Sequence, residues 1–348
     1  MFSSTPGIIR CKDILVPLIF FFSRGIMLRV IVHLLRKCKV FCMTGLLIHP
    51  EEISRKWIDK LSDGGIDVLG IHPVGGYRAH INLAAMLEDM KKESFRDLID
   101  YAKEKGLTVE YEMHCGSFLM PRGLFDEHPE YFRVNSEGIR TNDMNFCPSN
   151  EDALRIVSER ARNLAKSLYG SSDNFFFWLD DKKDSHCHCE KCSELSASDQ
   201  QLLVMNRILK EIRKDNPDAK LAYLAYFNTS EPPKKIRPTK GIFLEYAPFE
   251  RDMKKDSSEV SQKEKDLQDE LLHTFGKKDS KVLEYWYDNS MFSDWKKPPK
   301  KFVPDYSMIE RSVIYYKEKG FENISSFACY LGKDYDELYG DFGPAKLG

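Results

Sequence analysis

From Met43 onward, short apolar runs alternate with stretches whose apolar residues return every three or four positions. The runs lie at 45–49 (GLLIH), 66–72 (IDVLGIH), 107–114 (LTVEYEMH), 175–180 (FFFWLD), 221–227 (LAYLAYF), 241–247 (GIFLEYA), 281–288 (KVLEYWYD) and 324–331 (ISSFACYL). Between them, Ile53, Trp57, Ile58 and Leu61 share a helical face, as do Phe95, Leu98 and Ala102. Leu154, Val157, Ala161, Leu164 and Leu168 form a third such stripe, and Leu202, Met205, Leu209 and Ile212 a fourth. A charged helix is expected near 260–275 and another near 309–316. Only the link from the fifth run to the sixth, with three prolines, carries no helical pattern. Eight strands separated by helices demand a parallel sheet. Spread over this length they predict an α/β fold of the (β/α)8 TIM-barrel type over 43–348, lacking the helix between strands five and six. No G-x-G-x-x-G follows any strand, which removes the main reason to expect a dinucleotide fold.

Residues 1–42 break the pattern. Residues 14–22 (ILVPLIFFF) resemble the apolar core of a signal peptide behind Arg10 and Lys12, yet no small-residue cleavage site follows. The run is too short for the roughly 20 residues that span a bilayer. The segment is read as an N-terminal extension, spurious or signal-like. A net charge of -2 gives no basic excess for nucleic acid. Scattered cysteines such as Cys115, Cys147 and Cys329 form no small-domain disulfide framework, which points to the cytoplasm; a genuine signal or anchor in 1–42 would instead mean export.

In a barrel of this kind, chemistry collects at the C-terminal ends of the strands. Here those ends carry His49, His72, Glu112 with His114, Asp180 with Asp181, Tyr226, Glu245, and Glu284 with Trp286 and Asp288. Carboxylates and aromatic rings on one rim suit a carbohydrate substrate. Asp180 and Asp181 follow Phe177 and Trp178, an apolar setting that helps an acid keep its proton. Side chains alternate along a strand, so only one of the two acids need face a pocket; the bland alternative is a surface acid pair or helix cap. Glu245 and Glu284 lie singly inside apolar strands. Each is either in the site or paired with a cation, for which Arg122, Arg251 and Lys240 are candidates. His72 and His114 are candidates to bind hydroxyls or to be satisfied by backbone, and Trp178, Tyr226, Tyr246 and Trp286 to stack on a sugar or fill the core. A metal set of His49, His72 and Glu112 is a further reading, without an H-x-H after the first strand to support it.

The segment Cys187-His188-Cys189-Glu190-Lys191-Cys192, preceded by His186, has the ligands of a structural zinc, with Cys147 available as a fourth. Reduced thiols bracing a loop are the alternative. Neither reading makes the chain a metalloenzyme or requires a cofactor for catalysis.

The succession IDVLGIHP, VEYEMHCGSFLMPRGLF, FFFWLDD, LAYLAYFNTSEPP, GIFLEYAPFERD and LEYWYDNSMFSDW, with C-x-C-x-x-C followed by S-x-S-D-Q, resembles the bacterial family called domain of unknown function 4838. The resemblance covers roughly 44–345. It implies a glycosidase-like barrel similar to the β-hexosaminidases of glycoside hydrolase family 20, which also lack the helix between strands five and six, and to the α-glucuronidases. It implies cleavage of an amino-sugar (N-acetylglucosaminide-type) or uronic-acid linkage. The hexosaminidase scheme makes Asp180 the residue that orients the acetamido group and Asp181 the general acid, with Asp where that family has Glu. The α-glucuronidase scheme gives Glu245 a role in activating water. A carbohydrate-binding barrel without hydrolytic activity is the alternative, and neither nucleic acid nor a membrane span in the barrel is expected.

Overall fold

The computed structural model describes residues 42–340 and Leu347, so the extension expected over 1–42 lies, but for Cys42, outside the described residues. Eight parallel strands run in sequence order around a closed barrel. They are β1 (Met43–Ile48), β2 (Val68–Ile71), β3 (Thr108–His114), β4 (Asn174–Trp178), β5 (Lys220–Ala225), β6 (Ile242–Tyr246), β7 (Lys281–Glu284) and β8 (Asn323–Phe327). The helices are α1 (Arg55–Asp63), α2 (Ala79–Asp89), α3 (Glu93–Glu104), α4 (Gly116–Leu119), α5 (Glu151–Ser167), α6 (Ala197–Ile212), α7 (Gln262–Phe275), α8 (Asn289–Phe292), α9 (Tyr306–Lys319) and α10 (Lys333–Tyr339). As the prolines predict, no α-helix joins β5 to β6, only a single 3-10 turn at Phe227–Thr229. No helix among the described residues is long and apolar enough to cross a membrane.

The helices start where a side chain satisfies the free backbone donors of the first turn. Ser54 accepts from the Trp57 N–H at α1, Asn150 from Ala153 at α5, and Asp305 from Met308 at α9. Ser196 and Asp199 form a reciprocal capping box at α6. Gly320 ends α9 in the left-handed region (φ 101°), which a Cβ would disfavour. Helix α2 leaves no periodic stripe in the sequence because its apolar residues lie all round it: Leu83 and Met86 are buried while Ile81 is exposed.

Inside the barrel, Leu47, Phe176, Ala222, Phe243, Leu283 and Phe327 pack as one apolar plug. Strand stagger sets depth. Glu245, near the end of β6, sits opposite Lys281, the first residue of β7. Tilted, sheared strands are obligatory in a closed barrel. Equal positions along different strands therefore do not lie at equal height.

Candidate active site

Every second residue along each strand points inward. On β7 and its extension these are Lys281, Leu283 and Tyr285; Val282, Glu284 and Trp286 point out to the helices. Lys281 meets buried carboxylates, and Leu283 and Tyr285 line the barrel mouth, whereas Glu284 accepts from Arg251 (2.8 Å), Ser257 (2.9 Å) and Tyr316 of α9 (2.7 Å). The inward series open onto a cavity of about 310 Å³ at the C-terminal mouth. His49, His72, His114, Trp178, Asp181, Tyr226, Phe249, Tyr285, Asp288, Trp295, Phe327 and Tyr330 contribute to its wall.

Three histidines stand in a row on successive strands. His49 Nδ1 lies 2.8 Å from the His72 carbonyl, His72 Nδ1 2.8 Å from that of Glu112, and His114 Nδ1 2.6 Å from that of Leu179. A carbonyl only accepts, so each Nδ1 carries a proton, and in the neutral form of such a ring Nε2 is the acceptor. Burial lowers the pKa of His72 well below its ordinary value, helped by the two neighbouring imidazoles, and burial likewise lowers His49. The ring of Trp178 packs on both His72 and His114, with centroids 5.6 and 5.0 Å apart.

Two carboxylates face this cavity in different settings. Asp181 is half-buried and accepts a hydrogen bond from the Tyr226 hydroxyl (3.1 Å). Burial, then the Asp181 charge, pushes the Tyr226 pKa up, so the phenol stays a donor. Asp288 is buried. Its Oδ1 accepts from the Ser290 hydroxyl (2.5 Å), the Ser290 N–H (3.0 Å) and the Met291 N–H (3.3 Å), capping α8. Burial nevertheless outweighs these bonds and raises the Asp288 pKa above the ordinary carboxylate value.

Several expected site residues lie elsewhere, and these placements are corrections. Asp180 turns away from the cavity. It accepts from the Ser117 N–H (2.9 Å), the Ser117 hydroxyl (2.5 Å) and the Asn145 N–H (2.6 Å), while its own N–H donates to Asn145 Oδ1 (2.8 Å). It ties the loop after β3 to the loop after β4. Asn145 takes a left-handed backbone (φ 50°) to make these bonds, a conformation Asn tolerates better than most residues. Gly116 leaves them room, since a Cβ there would meet Asn145 Oδ1 and lie 3.0 Å from the Asp180 carboxyl.

Glu245 and Glu112 are fully buried below the cavity with Glu110 and Lys281. Lys281 Nζ lies 2.5 Å from Glu112, 3.1 Å from Glu110 and 3.8 Å from Glu245, and the Trp178 indole donates to Glu245 (2.7 Å). Burial raises the pKa of Glu112 and of Glu245. Burial opposes the Lys281 charge, but the three carboxylates prevail and its pKa rises. Glu245 does not reach the cavity because stagger sets it at the level of Lys281.

Glu284 and Arg251 form a buried ion pair outside the barrel wall. There too lie Tyr246, whose hydroxyl donates to Glu264 of α7, and Trp286, against Tyr316 of α9. Arg122 donates to the Met120 and Asn145 carbonyls and rests on the Phe132 ring, its pKa pulled down to about 10 by burial. The metal set of His49, His72 and Glu112 is not assembled: Glu112 is engaged by Lys281 and the imidazoles by backbone. Among the described residues, the side chains grouped closely enough to hold an ion are Cys147, Cys187, Cys189 and Cys192, and separately Asp184, His186 and His188.

Of the cavity residues missed from sequence, Tyr285 differs from the expected Trp286 by one position of strand parity. Trp295, 62% exposed, and Tyr330 sit in loops whose course no periodicity reveals.

Fold and mouth define a (β/α)8 barrel with a cavity lined by acids, imidazoles and aromatic rings. Residues 78–338 match the family described as Domain of unknown function (DUF4838), and the chain belongs to it. No curated protein matches significantly. Similar solved structures include a beta-galactosidase from the psychrophilic Marinomonas ef1, 11% identical with a TM-score of 0.48, covering 82% of this chain and 53% of that one. The glycoside hydrolase domain of PelA from Pseudomonas aeruginosa is 15% identical with a TM-score of 0.44, covering 84% and 98%. An O-GlcNAc hydrolase from Thermobaculum terrenum is 10% identical with a TM-score of 0.47, covering 83% and 56%. The chain thus spans about half the length of the first and last of these.

Proposed function

We propose that the protein is a glycoside hydrolase in which Asp181 and Asp288 divide the work of cleaving a glycosidic bond. The observation that carries this reading is that two carboxylates face one cavity from environments that separate their roles. Buried Asp288, its pKa raised, holds a proton to give the leaving oxygen as the C–O bond breaks. Asp181, which accepts from the Tyr226 hydroxyl, stabilises the oxocarbenium-like centre or directs the water that replaces the leaving group. The Nε2 lone pairs of the histidine row accept from sugar hydroxyls. Trp178, Tyr285 and, at the lip, Trp295 offer faces to the apolar side of a pyranose.

A cavity of this size is at the low end of the roughly 300–1,000 Å³ usual for ligand sites, which favours a terminal or small sugar. Among the described residues neither Arg nor Lys lines it, so a uronate would find no cationic partner among them. That favours an N-acetylglucosaminide-type linkage over a uronic-acid one.

A panel of p-nitrophenyl glycosides including N-acetylglucosaminide, glucuronide and rhamnoside tests the reading. Hydrolysis of the N-acetylglucosaminide is expected, falling by about 10²–10⁴ in Asp181→Asn with folding retained. Asp288→Asn should lose similar activity on a disaccharide but keep most of it on a dinitrophenyl glycoside, whose leaving group needs no proton. Sugar binding by calorimetry without turnover of any substrate would make the barrel a binding module.

A further inference from the structure

We propose that Cys147, Cys187, Cys189 and Cys192 hold one zinc ion, which clasps the loop after β3 to the loop after β4 on the far side of Asp180. The four sulfurs all lie within 4.8 Å of one another, with Cys147 Sγ 3.7 Å from Cys189 Sγ and 3.9 Å from Cys192 Sγ. Tetrahedral zinc with bonds of about 2.3 Å sets its sulfurs 2.3 × √(8/3), or about 3.8 Å, apart. A disulfide requires about 2.05 Å. A multi-iron cluster needs its ligands farther apart, to make room for bridging sulfides.

The surroundings also favour thiolates. The Val134 N–H lies 3.4 Å from Cys187 Sγ, and the Ser149 hydroxyl 2.9 Å from Cys192 Sγ. Cys192 N–H and Ser193 N–H both bond to the Cys189 carbonyl, making the tight turn a C-x-x-C chelate needs. Gln200, itself buried, donates to the Cys187 and Cys192 carbonyls and accepts from the Cys187 N–H, fixing both arms of the turn. His186 and His188 stay outside the set, paired with Asp184. Binding converts four thiols and a Zn²⁺ into a tetrathiolate complex of charge 2− and releases four protons, with no change of oxidation state.

The site has a mechanical consequence. Cys147 lies two residues beyond Asn145, and Cys187 two residues beyond Ser185, whose hydroxyl accepts from the Asn145 side chain (2.9 Å). The ion and the Asp180–Asn145 bonds therefore fasten the same two loops at two points, and Asp181 leaves β4 between them.

Elemental analysis of the full chain, purified without chelator, should find about one zinc per molecule. Cys189→Ser should lose most of it, while His188→Ala keeps it. Cobalt exchanged into the wild-type protein should show the thiolate-to-metal charge-transfer and visible bands of a tetrahedral four-sulfur site, a readout that stands even if Cys189→Ser does not fold. Stripping the metal should speed amide exchange about tenfold or more in 131–148 and 182–196 while barrel strands remain protected. Metal-free protein whose four thiols react freely in the native state, or protein carrying iron in place of zinc, would overturn the assignment. None of these readouts depends on glycosidase activity.

Discussion

Glu52 gives a direct electrostatic test of the cavity wall. It ends the short turn after β1 and is fully buried. Its Oε2 accepts the Tyr330 N–H at 3.0 Å, and Lys297 Nζ is 4.0 Å from Oε1. Burial pushes its pKa from 4.5 up to about 7, more than the Tyr330 bond and Lys297 pull it down. A carboxyl raised in the folded state favours folding in its protonated form. Its contribution is fully present below about pH 4.5 and is lost as pH rises through 7. The difference of about 2.5 pKa units at 1.36 kcal/mol each is a penalty of about 3 kcal/mol at alkaline pH, and under 1 kcal/mol near pH 5. Glu52→Gln keeps an acceptor for Tyr330 and removes the titration. Denaturant unfolding at both pH values should find the variant about 3 kcal/mol more stable than wild type near pH 8.5, and nearly equal near pH 5. In a thermal scan the alkaline difference corresponds to a rise of roughly 5–10 °C. A stability difference that is the same at both pH values, or a variant less stable at alkaline pH, would refute the argument.

Two further perturbations probe the supports beneath and behind the cavity. Lys281→Met removes the cation shared by Glu110, Glu112 and Glu245 and should destabilise the fold by about 3–5 kcal/mol, since uncompensated buried charge is costly. The loss should shrink toward acidic pH, where Glu112 and Glu245 take up protons, and unfolding curves that show no pH trend would contradict the pairing. Gly116→Ala drives a Cβ into Asn145 and Asp180; a cost of about 1–3 kcal/mol by denaturation is expected, with a fall in turnover as the neighbouring Asp181 shifts. Unchanged stability and rate would mean the close approach at Gly116 is unimportant.

The barrel was legible because two periodicities alternate along the chain, and because three prolines without a helical stripe mark the gap between β5 and β6. Helix α2 escaped for want of a single apolar face. Much of the cavity was legible too: His72, His114, Asp181, Tyr226 and Asp288 all reach it from strand ends or the residues just beyond. What the strand-end rule could not supply was facing and depth. Glu284, Trp286 and Tyr246 sit at strand ends with outward parity, so Arg251 and the helix layer answer the polar atoms of Glu284 and Tyr246, while the Trp286 ring packs on Tyr316. Glu245 has inward parity, but lies too deep. Asn145 and Gly116 act through loop backbone geometry, which leaves no repeating trace in sequence.

The depth of Glu245 bears on how the cavity keeps its character. A buried layer with three carboxylates and one lysine lies directly beneath a site that, on the proposed reading, needs one neutral acid and neutral imidazoles. Trp178 stands between the two: its indole N–H donates downward to Glu245, while its ring packs against His72 and His114 above. The charge below is thus answered by Lys281 and by the indole dipole rather than by the histidines, whose Nδ1 protons are committed to backbone carbonyls. Were Glu245 one stagger step higher, its charge would lie beside the imidazoles, raise the pKa of His49 and His72, and turn their Nε2 atoms from acceptors into donors. Shear that removes Glu245 from the cavity is therefore compatible with the proposed division of labour between Asp181 and Asp288.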